Sequence, residues 1–233
     1  MKKLLIVLLF IKSIFLTYSC SVDSINFETD LVKRDNIFYQ KNQKKSFSGE
    51  VFSIYENNRK KLKGHLKNGK KNNLWTEWYD NGVIRSEENY DLGKPDGEWK
   101  LWYKNGKLKL ITNYNNGYLE GLRTEWYENG VKKEQGNYKN NTFHGDWKKW
   151  YDNGQINAQG NYINGEESGV HIFWYKNGKK KSEAEFTNGL ITGSRIEWYQ
   201  NGQKKEEGNA DGLWIQWYEN GNKKGEGKYK KQK

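Results

Sequence analysis

The sequence has one cysteine, one proline and one methionine in 233 residues. A single cysteine excludes a disulfide scaffold and a cysteine-built zinc site within one chain. One proline beside 25 glycines excludes collagen-like and proline-rich classes. Aliphatic residues are also scarce: only 34% of the chain is hydrophobic against 30% charged, with a mean hydropathy of −1.13. On those totals the chain would struggle to bury a core. What it has instead is aromatics, 11 Trp, 16 Tyr and 9 Phe. Each buries roughly 150–250 Å² when packed, so the apolar capacity sits in a few large flat side chains.

The N-terminus has a logic of its own. Lys2 and Lys3 precede the apolar stretch LLIVLLFI, and the chain then reaches Leu16-Thr17-Tyr18-Ser19-Cys20. Basic residues, an apolar run and a small residue, in that order, read as a secretory signal over residues 1–19. The segment is short for a bilayer span and Lys12 interrupts it. Cys20 would become the first residue after cleavage, a position that resembles the lipobox of bacterial lipoproteins, although Thr17 and Tyr18 depart from the usual aliphatic and small residues. That resemblance implies a diacylglycerol thioether on Cys20 and a place in the bacterial cell envelope; cleavage without lipid would leave a secreted or periplasmic chain. Residues 20–45 read as a tether, mostly irregular, with one short strand around Ile37 to Tyr39.

From residue 46 to 233 the chain is a repeat. Trp-Tyr-x-Asn-Gly recurs at Trp78, Trp102, Trp126, Trp150, Trp174, Trp198 and Trp217, with 24 residues between successive copies until a last interval of 19. A degenerate copy, IYENN at Ile54, makes eight units. Five residues before the key tryptophan stands a glycine or Asn73, and twelve after it stands Leu66, Tyr90, Tyr114, Tyr138, Tyr162 or Phe186. Three before it the residue varies: Val51, Trp75, Trp99, Arg123, Trp147, His171, Arg195, Trp214. All 11 tryptophans occupy two positions of the unit.

Asn-Gly between alternating apolar residues signals a β-hairpin, and a type I′ turn would place both residues at positive φ. Period-two reading puts Trp99, Leu101 and Tyr103 on one face of a strand and Trp102 on the other. No segment after the signal has a 3.6-residue apolar period of helical length. A hairpin alone is marginal in water, but hairpins stacked in sequence give each aromatic a neighbour on either side. The expected fold is all-β, an elongated, open-ended single-layer antiparallel sheet of about eight stacked hairpins without a globular core.

These copies resemble the MORN (membrane occupation and recognition nexus) repeats, in the bacterial Trp-Tyr-x-Asn-Gly variant of YwqK-like antitoxin-family proteins. The resemblance covers about residues 46–230. It implies an elongated hairpin array used for protein or lipid contact, and for the YwqK-like group the binding and neutralising of a toxin.

Chemistry should show as breaks in the regularity. His65, His144 and His171 do not recur at ligand spacing. The stretch from Gly64 to Lys71 nearly matches a phosphate-binding loop but has Lys71 in place of Ser or Thr and no helix after it. No catalytic residue, metal or cofactor is therefore expected. The formal net charge of +11 divides unevenly: residues 41–71 carry ten basic against two acidic groups, residues 72–222 carry 19 against 22, and residues 223–233 carry six against one. An acidic body argues against nucleic acid. The basic first copy suits either anionic lipid headgroups or protection of a sheet edge. The remaining expectation is a protein partner, met through the varied slot (Trp75, Trp99, Arg123, Trp147, His171, Arg195, Trp214), because the fixed tryptophans are needed for stacking. The lipobox reading has a direct test: cells fed an alkynyl fatty acid should label the wild-type chain and not Cys20→Ala, and equal labelling of both would reject it.

Overall fold

The computed structural model describes residues 24–210 and 212–228, so the signal segment, Cys20, Asp211 and Tyr229 lie outside the described residues. Twenty strands and no helix are present among them, and eighteen of the strands form one open sheet. After a short N-terminal group, β1 (Ile25–Asn26), β2 (Leu31–Arg34) and β3 (Ile37–Gln40), the array begins with β4 (Gly49–Ile54), β5 (Lys60–Lys67) and β6 (Lys70–Trp78). From there each strand pairs antiparallel with the next, out to Lys223–Lys228, with one strand split at Glu120 into Tyr118–Leu119 and Gly121–Trp126, both of which pair with Leu108–Asn115. The 24-residue period is one strand up and one strand down.

Two kinds of turn alternate along the two sides of the sheet. At Lys67-Asn68-Gly69-Lys70 both central residues have positive φ, 51° and 71°, and Lys67 pairs with Lys70, so this is the two-residue type I′ hairpin. The Trp-Tyr-x-Asn-Gly turn is different from the type I′ expectation. Only its glycine is left-handed (Gly82, φ 88°), while Asn81 keeps negative φ. Gly82 N–H donates to Tyr79 C=O at 2.9 Å and Tyr79 N–H to Val83 C=O at 2.8 Å, a type I turn closed by a left-handed glycine. The asparagine side chain explains the choice. Its Oδ1 accepts from Val83 N–H at 3.1 Å, and its Nδ2 donates to Lys104 C=O in the next unit at 3.0 Å. Aspartate could do the first of these but not the second.

That contact belongs to a ladder. In seven successive units the tyrosine hydroxyl donates to the main-chain carbonyl of the next unit's key tryptophan, from Tyr55 to Trp78 at 2.7 Å through Tyr199 to Trp217 at 3.0 Å. The turn asparagines bridge the same seven gaps, Asn57 to Asp80 through Asn201 to Glu219. Each such bond contributes about 1 kcal/mol net, and together they tie turns that the strand ladder alone would leave fraying.

Across the sheet, large rings sit over residues without side chains. A Cβ placed on Gly64 would lie 2.3 Å from the Trp75 ring, and one on Gly160 would lie 2.3 Å from the His171 ring. Ring and glycine are complementary halves of one layer.

Residues 24–48 correct two expectations. They are not a mostly irregular tether: β1 runs parallel to β4 (Ile25 opposite Val51), and β2 pairs with β3 as a hairpin. Nor is the array without a core. Leu31, Val51, Leu66 and Trp75 are buried together, with Phe27, Phe38 and Phe47 packed against them. The reason is geometric, since the first repeat has no preceding unit to cover its rings and the N-terminal segment supplies Phe27 and Phe38 in that place. Phe27 meets Trp75 edge-on at 5.4 Å and Phe38 at 4.8 Å. Gly64→Ala should destabilise the fold by about 3 kcal/mol and lose most of that effect in a Trp75→Leu background. Gly82→Ala, strained only by its φ, should cost about 1 kcal/mol in either background. Denaturant titration of the double-mutant cycle distinguishes the two causes.

Candidate interaction surface

In five units the ring slot three residues before the key tryptophan is set by a bulge. Register slips between Lys63 and His65 opposite β6, where Asn73 stands at φ 59°; Asn tolerates that conformation where other units use glycine. The bulge lays the next large side chain flat across the neighbouring strand. Trp75, 1% exposed, donates its indole N–H to His65 C=O at 3.1 Å. Trp99 stands between Tyr90 and Tyr114 at 5.1 and 4.9 Å and donates to Asn89 C=O at 2.8 Å. His171, 2% exposed, lies edge-on between Tyr162 and Phe186 with Nε2 2.8 Å from Asn161 C=O. A carbonyl can only accept, so Nε2 carries the proton and the imidazole N–H stands in for an indole N–H. Trp147 packs against Phe143 and Tyr162 but sends its N–H to Glu134 Oε1 at 2.8 Å. Trp214 lies over Gly227, whose added Cβ would come within 2.9 Å of the ring.

Arginine interrupts this ladder twice. Arg123 pairs with Glu125 at 3.0 Å and Glu134 at 3.7 Å, and Lys133 holds the other oxygen of Glu125 at 2.8 Å. Burial would raise the Glu125 pKa, but Lys133 and Arg123 outweigh it and hold the carboxyl below its ordinary range. Arg195, Glu197 and Lys205 repeat the arrangement 72 residues on in a more exposed setting: Arg195 pairs with one oxygen of Glu197 and Lys205 with the other at 3.2 Å. The slot is thus a mixture: buried Trp75 and His171 present no surface to a partner, whereas Arg195 is exposed.

The lysine pairs after the turns have a structural account too. The first of a pair covers the key tryptophan of the next unit, as Lys60 does over Trp78, Lys132 over Trp150 and Lys180 over Trp198, all at 5.6–5.8 Å. Its neighbour points to the opposite face and covers the tyrosine of its own turn, as Lys61 does over Tyr55, Lys133 over Tyr127 and Lys181 over Tyr175, at 5.7–6.0 Å. Cation–π contact of this kind contributes about 0.5–1 kcal/mol at exposed sites.

A different row of residues is open to solvent. Four residues before the key tryptophan stand Leu74, Leu122, Val170 and Leu213, 45–52% exposed, alternating with Glu98, Asp146 and Ser194. Apolar residues therefore recur every second unit on the strand side opposite the buried rings. This row escapes a reading by single repeats, since the signal is a two-unit period; the contrast between Leu74 and Glu98 looks like variation until the copies are compared in pairs. Among the described residues, no group of three His, Cys, Asp or Glu could hold a metal ion.

A family model described as a MORN repeat variant matches residues 71–92, 95–116, 119–140, 143–164, 167–188, 191–209 and 210–231. Most matched segments enclose one hairpin around the Trp-Tyr-x-Asn-Gly turn, and β1 to β5 lie outside the match. No curated protein matches the sequence. The ring slot yields a specific expectation: His171→Phe keeps the stack, loses the N–H bond to Asn161 and should destabilise by about 1–2 kcal/mol. His171→Trp, with Gly160 beneath it as Gly64 lies beneath Trp75, should recover that loss in thermal denaturation.

Proposed function

We propose that this chain, which belongs to the MORN repeat variant family, is a non-catalytic scaffold of the bacterial cell envelope, anchored through Cys20, whose open sheet binds a protein partner. Repeats of this family are protein- and membrane-interaction modules. The observation that carries the reading is the division of labour in the unit. Rings, tyrosine hydroxyls, turn asparagines and most lysine pairs are engaged in stacking one unit on the next. The regularly spaced apolar row, Leu74, Leu122, Val170 and Leu213, is left exposed. Side chains at that period offer a long flat surface with repeated contact points, which suits an extended partner better than a small molecule. The carboxylates Glu98 and Asp146 between them would favour a partner with basic residues at the complementary spacing.

A second reading, neutralisation of a toxin, follows the resemblance to YwqK-like proteins and uses the same surface. Photo-crosslinking residues placed at Leu122 and Val170 of the full chain in cells should trap a discrete partner, and Leu122→Asp with Val170→Asp should cut its recovery by about ten-fold or more. Absence of any adduct from either position would remove the proposal. An adduct with a soluble toxin, together with a cytosolic location of the chain, would select the second reading over the first.

A further inference from the structure

A cleft of about 480 Å³ opens where the β2–β3 hairpin meets the type I′ turns of the array. Four of its eight lining residues are lysines, Lys33, Lys70, Lys71 and Lys94, joined by Asn36, Phe38, Leu92 and Gly93; none is acidic. They come from three separate parts of the fold, the N-terminal hairpin, β6 and the strand Lys94–Trp102. Lys71 is the most enclosed. Its ammonium lies 4.5 Å from the Trp75 ring centre and 4.7 Å from that of Tyr90, with Glu88 4.0 Å away. Burial pushes its pKa below the ordinary lysine value. Among the described residues the other three make no ion pair: Lys33 lies over the Phe38 ring at 5.7 Å and Lys94 donates to Asn116 Oδ1 at 2.9 Å.

Such convergence is unfavourable in the empty protein, since like charges around one concavity repel. The explanation by edge protection fails here. Lys70 and Lys94 open interior strands that pair on both sides, so there is no free edge to guard. Nor do these lysines belong to the pairs that cover Trp and Tyr of the key motif. In later units the two positions equivalent to Lys70 and Lys71 hold Tyr118 and Leu119, Thr142 and Phe143, Glu166 and Glu167, or Leu190 and Ile191. The basic cluster is therefore confined to the place where the N-terminal hairpin closes over the array.

We propose that this cleft is a binding site for a compact, multiply charged phosphate anion, a phosphomonoester or a diphosphate. Three ammonium groups without counter-ions call for more than one negative charge in a small volume, which a monocarboxylate does not provide. Lysine serves phosphate as a mobile point charge. Phe38 and Leu92 add an apolar flank suited to whatever organic group carries the phosphate. The proposal is independent of the scaffold reading, because its residues are separate from the exposed apolar row. A soluble compound and a lipid headgroup both carry such a phosphate, and the chemistry of the cleft is common to both.

Two probes separate those sources: pyrophosphate titrated calorimetrically into the full chain, and co-sedimentation with phosphatidylcholine vesicles with and without phosphatidic acid. The test variant is Lys33→Gln with Lys70→Gln and Lys94→Gln. The control removes equal charge nearby, by Lys41→Gln, Lys44→Gln and Lys45→Gln, and circular dichroism verifies that both remain folded. Pyrophosphate binding that falls by on the order of 10- to 100-fold in the test variant and not in the control supports a soluble phosphate ligand. A selective loss of phosphatidic-acid vesicle binding alone supports the headgroup. If neither probe binds the wild type saturably, or if test and control variants lose binding equally, the site does not exist.

Discussion

A tyrosine hydroxyl reaching 23 residues ahead to a tryptophan carbonyl is the constraint on which the array depends. Strand pairing holds neighbouring strands together, but it says nothing about whether successive turns stay in line. The hydroxyl ladder and the asparagine ladder beside it lock each turn to the next at a constant offset, and the one shorter interval, Tyr199 to Trp217, keeps the same bond at 18 residues. The five-residue deletion before the last unit falls outside the bonded turn, so the chain loses length without losing the contact. Regular stacking then makes the rings work. Each aromatic covers a glycine or its neighbour's ring only if the offset never drifts.

From this follows the division between residues that build and residues that remain available. In a two-layer protein the inward side chains are structural and the outward ones free. A single sheet has no inward side, and here both faces are partly engaged: rings and tyrosines on one, key tryptophans under lysines on the other. Positive charge that resembles a ligand-binding stripe is in large part the cover of exposed indoles and phenols. Stacking leaves two features of the surface unused, namely the two-unit apolar row and the basic cleft at the N-terminal end.

The N-terminal end is special because a one-dimensional stack must stop somewhere. The chain closes its first unit with Phe27 and Phe38 and with the parallel strand at Ile25, and these complete a cluster of buried aliphatic and aromatic side chains there. The same closure brings Lys33 from the hairpin toward Lys70, Lys71 and Lys94 of the array. Capping and cleft are two results of one fold-back.

Much of this was readable from the residues alone. The 24-residue spacing of Trp-Tyr-x-Asn-Gly, the alternation within strands and the scarcity of aliphatics determined a hairpin array, because those features act locally, within one turn or one strand. Asn-Gly located the turns but not their type: the type I turn of Tyr79 to Gly82 follows from an asparagine amide bonded both within its own turn and to the next unit, a contact no single repeat contains. The slot of Trp75, Trp99, Trp147 and His171 was visible as a position, while its nature as a buried N–H donor over glycine required the neighbouring strand. Residues 24–48 show the largest gap. Their strands have no repeat and little periodicity, and they form because Trp75 and Leu66 offer an uncovered apolar surface, which exists only once the array has folded. Sequence by itself determined the unit and its count; tertiary structure decided which side chains the stacking consumes, how its first unit is closed, and which lysines are brought together without counter-ions.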